Sequence, residues 1–301
     1  MRVALELFLA RAKGSILYKL LGFSSLVLTT LIWGTSFAFI KLSMTEIDPF
    51  TYTATRTLIA SVTLTPALLA RKLRGVVDYT SFKRGFITGL VYSTGLCLQA
   101  AGTAHTTPSI SAFVTGLSSV HVHFYTAVIL RVYSVLDLLA LILAITGLYV
   151  LTKPSGGLGT GELLVLASTV FWALQILLVA RYSKSSLVEF LAGNFTAGVL
   201  YLPLALIQSP SLTGEVLVYL VYLALACSIG ATLFQVLGQR YISATTASLI
   251  FLLEPVFATL FSVIMGLEEV DLYKVLGGSL ILTALYVTTI SEFKYRTVTT
   301  Q

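Results

Sequence analysis

Leu31-Ile32-Trp33-Gly34 lies inside an apolar run over 19–40, and Thr169-Val170-Phe171-Trp172-Ala173 lies inside a second run over 161–181. About 20 apolar residues cross a bilayer as one helix, so each run reads as a membrane span. Only helices and closed barrels satisfy their own backbone in lipid. Strict alternation is absent and the runs are too long for barrel strands, so the spans read as helices. Trp33 also falls over Trp172 at a shift of about 139 residues, which makes the second run a repeat of the first.

Working outward, the same shift recurs. Leu64-Thr65-Pro66-Ala67-Leu68 resembles Tyr201-Leu202-Pro203-Leu204-Ala205. Leu98-Gln99-Ala100-Ala101-Gly102 resembles Phe234-Gln235-Val236-Leu237-Gly238, and Gly147-Leu148-Tyr149-Val150 resembles Ala284-Leu285-Tyr286-Val287. Four matches in order, at shifts of about 136 to 139, divide the chain near Lys153-Pro154. The spans fall near 19–40, 51–70, 84–104, 107–130, 135–152, 161–181, 187–207, 215–235, 243–265 and 272–291. Each half then holds five helices. An odd number sends the second half into the membrane from the opposite side, and such inverted repeats mark transporters.

Composition agrees. Hydrophobic residues make up 56% of the 301 and charged residues 11%. A soluble domain carries roughly 25% charge. With so few charges the surface cannot be covered in water, whereas lipid asks for an apolar one. The net charge of +6 reflects topology rather than nucleic acid. With the N-terminus cytoplasmic, most basic residues fall inside, among them Arg71, Lys72, Arg74, Lys83, Arg84, Arg131, Arg181, Lys184 and Arg240. Lys41, Lys153 and Lys274 fall outside with Asp48, Glu162, Glu215, Glu268 and Glu269. That bias sets orientation and puts both termini inside. No cleavable signal peptide is read in 1–17; Val3 to Leu9 reads as a short surface helix or a disordered leader. Cys97 and Cys227 lie in apolar runs and read as packing residues.

The motifs carry a family resemblance. Leu31-Ile32-Trp33-Gly34-Thr35-Ser36-Phe37 resembles the first-helix motif of EamA-type members of the drug/metabolite transporter superfamily. Arg56, within Thr55-Arg56-Thr57-Leu58-Ile59-Ala60, is similar to that family's second-helix arginine. Leu253-Glu254-Pro255-Val256-Phe257-Ala258, followed by Gly266-Leu267-Glu268, resembles its ninth-helix signature. The resemblance covers about residues 19–291 and implies ten helices in a five-plus-five inverted repeat and transport of small organic metabolites, often outward. One stretch departs from it. Ser118-Ser119-Val120-His121-Val122-His123, then Arg131-Val132-Tyr133, lacks the proline and the following acidic residue usual in the fourth helix.

Polar groups at mid-membrane depth usually face a cavity or a partner. Glu254, next to the helix-kinking Pro255, reads either as a proton-linked or substrate-binding carboxylate or as a bond to a neighbouring helix. Ser118 is its repeat counterpart. His121 is three residues on, hence on the same helical face, and is the preferred histidine for binding or proton coupling; a bond between helices is the alternative. Helix 4 is expected to show Ser111, Thr115, Ser118 and His121 to Ala247, Phe251, Glu254 and Ala258 of helix 9. Trp33 and Trp172 could sandwich a planar solute, gate it, or pack the halves together. Gln99 and Gln235 could bind substrate or join helices. Arg56 must pair, snorkel or bind an anion, with pairing to Asp48 or snorkelling expected first.

The expectation is an all-α polytopic membrane protein. Residues 1–18 form a cytoplasmic leader, 19–152 the first five-helix repeat and 153–160 a linker. Residues 161–291 form the second repeat and 292–301 a cytoplasmic tail. The function read is a secondary transporter with a cavity between helices 1, 3, 4, 6, 8 and 9. It needs no cofactor, metal or nucleic acid, lies in the cytoplasmic membrane and works as a monomer or homodimer. A non-transporting accessory protein and a membrane-embedded enzyme are the rival readings.

Overall fold

The computed structural model describes residues 2–131, 134–152, 159–208, 212–267, 269 and 271–295, with side chains described from residue 16 and not at 151, 152 and 291–295. Among these residues all regular structure is helical. The helices are α1 (Arg2–Ser43), α2 (Pro49–Leu73), α3 (Tyr79–Ala104) and α4 (Pro108–Ile129). They continue with α5 (Val135–Thr152), α6 (Thr160–Tyr182), α7 (Leu187–Ile207), α8 (Gly214–Gln239), α9 (Ala244–Ile264) and α10 (Leu272–Tyr295).

Local chemistry sets the helix starts. Asp48 accepts from the backbone of Phe50 and Thr51 and stands before Pro49, so α2 begins two residues earlier than hydropathy suggests. Asp78 caps α3 through Thr80 and Ser81. Thr107 before Pro108, Thr213 and Ser243 do the same for α4, α8 and α9. The leader is not separate: α1 runs unbroken from Arg2 into the first span. Lys153-Pro154 and Arg296 to Gln301, expected in the linker and the tail, lie outside the described residues, as do Val132, Tyr133 and Glu268.

Among the described residues, seven helices are long and apolar enough to cross a membrane: α1 (from Ile16), α4, α6, α7, α8, α9 and α10. Helix α5 is apolar but shorter. Helices α2 and α3 have 25 and 26 residues but carry Thr, Ser, Gln and Arg56. Many of those polar groups, among them Thr53, Arg56, Thr57, Ser93, Gln99 and Thr103, are buried, so the two helices need less hydrophobicity on their own account. The outward surface is the reverse. Leu28, Val62, Leu69, Leu139, Ile142, Val170, Leu174, Leu200 and Leu225 are exposed, as an envelope facing lipid requires.

Packing obeys one exchange rule. Helix α3 lies along α6, and α8 along α1; α4 lies on α6, and α9 on α1. Helix α3 also packs on α7, as α8 packs on α2. Replacing α1–α5 by α6–α10 and back leaves these neighbours unchanged, which is the behaviour of a two-fold axis. Two glycine crossings repeat the rule. A Cβ on Gly102 would sit 2.6 Å from the Gly161 carbonyl oxygen, where α3 meets α6. A Cβ on Gly238 would sit 2.9 Å from the Gly22 carbonyl oxygen, where α8 meets α1. Small residues let backbones touch in this way, and close packing replaces the hydrophobic effect that lipid cannot supply.

Candidate functional site

A cavity lies at the centre of this exchange, with about 550 Å³ of empty space when the part open to solvent is included. Its first-half walls are Trp33 and Ser36 of α1, Arg56 of α2, Tyr92, Leu96 and Gln99 of α3, and Thr115, Gly116 and Ser118 of α4. Its second-half walls are Trp172, Gln175 and Ile176 of α6 with Ser248, Phe251 and Glu254 of α9. Helix α8, expected at the wall, contributes no lining residue; α2 takes its place through Arg56.

Arg56 neither snorkels nor pairs with Asp48, which is occupied in capping α2. It is 2% exposed. Its Nε donates to Ser228 Oγ at 2.7 Å, its Nη1 to Tyr52 OH, and its Nη2 to Tyr92 OH at 3.5 Å. Tyr52 is one turn away on the same helix, so the i, i+4 spacing fixes that bond. Ser228 comes from a π-helical stretch of α8, Leu223–Gly230. Such stretches bulge the backbone and often stand at functional sites. Here the bulge supplies two contacts in succession, because the Cys227 carbonyl accepts Trp33 Nε1 at 2.9 Å. Cys97 and Cys227 are both buried free thiols.

Glu254 starts the regular part of α9 after a 3₁₀ turn, Phe251–Leu253, and is followed by Pro255. It is 9% exposed and makes no hydrogen bond or ion pair among the described residues. The reading of Glu254 as a bond between helices therefore does not apply. Ser118 lines the cavity beside it.

Trp33 and Trp172 do meet across the halves, with ring centroids 6.4 Å apart and planes at 49°. Intercalating a planar ring needs parallel faces about 7 Å apart, twice a carbon contact, so the pair is no sandwich. It is one packed wall, extended by Phe251 at 5.3 Å from Trp33 and by Tyr92 at 5.5 Å from Trp172. The indole N–H of Trp172, unlike that of Trp33, is buried without a partner among the described residues.

The glutamines separate. Gln99 lines the cavity and donates to Thr115 at 2.9 Å. Gln235 is fully buried and exchanges bonds of 2.8 and 2.9 Å with Gln175, which faces the cavity in its stead. His121 does not line the cavity. It is exposed, and its Nε2 sits 3.0 Å from Thr169 Oγ1 of α6. Ser111 is likewise turned to Thr103 Oγ1, at 2.6 Å.

Tyr92, Gln175 and Ser248 were missed. Gln175 is three residues after Trp172, a spacing that places both on one helical face. Tyr92 gave no such signal. Among the described residues no group of three or more His, Cys, Asp or Glu is arranged to hold a metal.

Comparison with known proteins agrees with this geometry. Residues 20–153 and 159–290 each match the EamA-like transporter family. An uncharacterized transporter of Archaeoglobus fulgidus is 28% identical over 87% of this chain and 83% of its own. A second from that organism is 24% identical over 89% of this chain and 96% of its own. A solved crystal structure superposes with a TM-score of 0.70 at 20% identity, over 91% of this chain and 96% of that one, and shows the shared fold.

Proposed function

This chain belongs to the EamA-like transporter family of the drug/metabolite transporter superfamily, and we propose that it is a secondary active transporter of small organic metabolites or drugs. It works by alternating access across the cytoplasmic membrane, with export as its net direction. The observation that carries this reading is the cavity between the two matched halves, walled by both. A site at a repeat interface changes access when one half rocks against the other.

The proposed topology has ten spans as two sets of five, the second set inverted, with both termini cytoplasmic. The exchanged helix neighbours support it. So does the convergence of Arg71, Arg84 and Arg240 on residues 183–189, which gathers basic charge at one end of the bundle. Transport is coupled to protons through Glu254, the unpartnered carboxylate of the cavity; His121, outside the cavity, has no part in this step. A non-transporting accessory protein would pack the interface solid, and the cavity weighs against that rival.

The test is purified protein in liposomes, preloaded with amino acids, nucleosides or aromatic cations in turn. The expected outcome is release of at least one solute, chemically unchanged, faster with an imposed pH gradient and insensitive to the gradient in Glu254→Gln. Chemical conversion of a solute would favour the enzyme reading. Indifference to the gradient in the wild type would remove proton coupling and leave transport standing.

A further inference from the structure

Helices α4 and α9 are repeat partners, at a shift of 136 residues that carries Ser118 onto Glu254. Hydroxyl bonds join them near each end. Thr259 donates to Ser109 at 3.2 Å, and Thr245 donates to Thr126 at 3.3 Å. Cavity residues lie between these bonds, Thr115, Gly116 and Ser118 on α4 and Ser248, Phe251 and Glu254 on α9. An exact twofold would use equivalent residues at both ends. The shift carries Ser109 onto Thr245, but it carries Thr259 onto His123 and Thr126 onto Ser262. The two bonds are therefore out of step by three residues, about one helical turn.

Packing differs in the same sense. At the Ser109 end, Phe37, Ala112 and Ala258 form a buried cluster. Their repeat counterparts at the Thr126 end are Ile176, Ser248 and Val122. Of these, Ile176 and Ser248 line the cavity. The Ser109–Thr259 register thus accompanies a packed end, and the Thr245–Thr126 register an end that borders the cavity. The residue that would give the second register at the first end is Ser262. Its hydroxyl is buried without a partner among the described residues.

We propose that α4 and α9 form a sliding catch whose two registers trade ends when the cavity changes sides. In the conformation described, Ser109 holds Thr259 and Thr245 holds Thr126. In the other, Ser109 holds Ser262 and Thr245 holds His123. Ser262 then gains the bond it lacks. His123 suits its part, because Nδ1 donates to the Ser119 carbonyl at 2.8 Å, which makes Nε2 of the neutral ring an acceptor for the Thr245 hydroxyl. Each contact moves about 4.5 Å along a helix, and one-turn ratchets of this kind separate discrete packings. The 3₁₀ stretch Phe251–Leu253 of α9 lies between the bonds, where such winding often marks a hinge. The inference rests on the alternating-access reading above and names the residues that hold each state.

Paired cysteines read the register in the full chain in membranes, because a disulfide needs Cα atoms about 4.4–6.8 Å apart. One variant joins Ser109→Cys to Thr259→Cys, and another joins Ser109→Cys to Ser262→Cys. Mass spectrometry of the linked peptides separates these from links to Cys97 or Cys227. Both pairs are expected to link on oxidation. A third variant, Thr245→Cys with His123→Cys, reads the far end. Adding Thr259→Ala to it should raise its linkage rate about five-fold, and adding Ser262→Ala should lower it about five-fold, the scale of one hydrogen bond. A merely structural residue would not act on a pair at the opposite end.

Failure of Ser109→Cys to link with Ser262→Cys overturns the proposal, as does a far-end rate indifferent to both alanines. If Thr259→Ala does not fold, Ser262→Ala still decides, since it removes no bond made in this conformation. These readouts need no transported solute, so they are separate from the liposome assay and from the transport reading it tests. Where that assay finds a solute, either linkage at the Ser109 end should stop its release until reduced. Release that continues through both linkages would also overturn the catch.

Discussion

The crossing of α3 with α6 and that of α8 with α1 are built from the same residues: Gly102 on Gly161, and Gly238 on Gly22. The cavity walls of the two halves are not. Arg56 in α2 corresponds by the repeat shift to Gly193 in α7, which is pressed on the backbone of α3 at Phe82 and Phe86. Glu254 in α9 corresponds to Ser118 in α4. Trp33 is tied to the Cys227 carbonyl, whereas Trp172 bonds nothing among the described residues through its indole nitrogen. Gln99 faces the cavity, whereas Gln235 is tied to Gln175. Equal positions hold the halves together. Unequal positions give the cavity a cation from one half and a carboxylate from the other.

The hardest blow to this comparison falls on the equal positions. Gly102→Val and Gly238→Val should each cost about 3 kcal/mol, because an added side chain meets both a packed neighbour, Val165 or Leu26, and the backbone carbonyl of Gly161 or Gly22 behind it. Thermal unfolding of the two variants in detergent measures both; a tolerated valine at one crossing alone would break the equivalence. Next comes an ion pair that joins the halves. Glu189 of α7 is fully buried and accepts from Arg71 Nε at 2.5 Å, from Ser186 and from the backbone of Asp78. Removing Arg71 strands that carboxylate. The loss should be about 2 kcal/mol, reduced from the value for a dry pair because Arg71 is 34% exposed.

The glutamines sharpen the contrast at a smaller scale. Gln235→Ala leaves the Gln175 amide without its reciprocal partner and should destabilise by about 1–2 kcal/mol. Gln99→Ala borders open space and should change stability less while altering solute release in the liposome assay. Equal effects of the two on both readouts would erase the distinction drawn here. The smallest effect belongs to His121→Ala, within about 0.5 kcal/mol as for an exposed residue, with solute release unchanged. A ten-fold loss of release there would return the histidine to the site.

Much of the molecule was legible beforehand because two signals are strong in a chain of this kind. Apolar runs long enough for a bilayer locate helices, and a repeat shift pairs them. Trp33, Gln99, Ser118, Trp172 and Glu254, chosen on those grounds, border the cavity. Errors arose where a side chain's direction depends on local winding or on a neighbour. His121 is held at Thr169 of α6 and not at the cavity. The π-helical bulge of α8 holds Arg56 inside through Ser228. Gln235 turned to Gln175 because an adjacent helix supplied a better partner than the cavity did.

The sequence by itself determined the apolar helices, their order and the twofold repetition, since each follows from hydropathy and spacing along one chain. Tertiary structure alone decided that, among the described residues, Arg56 is buried without a counter-ion and Glu254 stands unpartnered across the same space. Whether a polar group is satisfied depends on helices distant in sequence, and no local pattern records which of them come within hydrogen-bond reach.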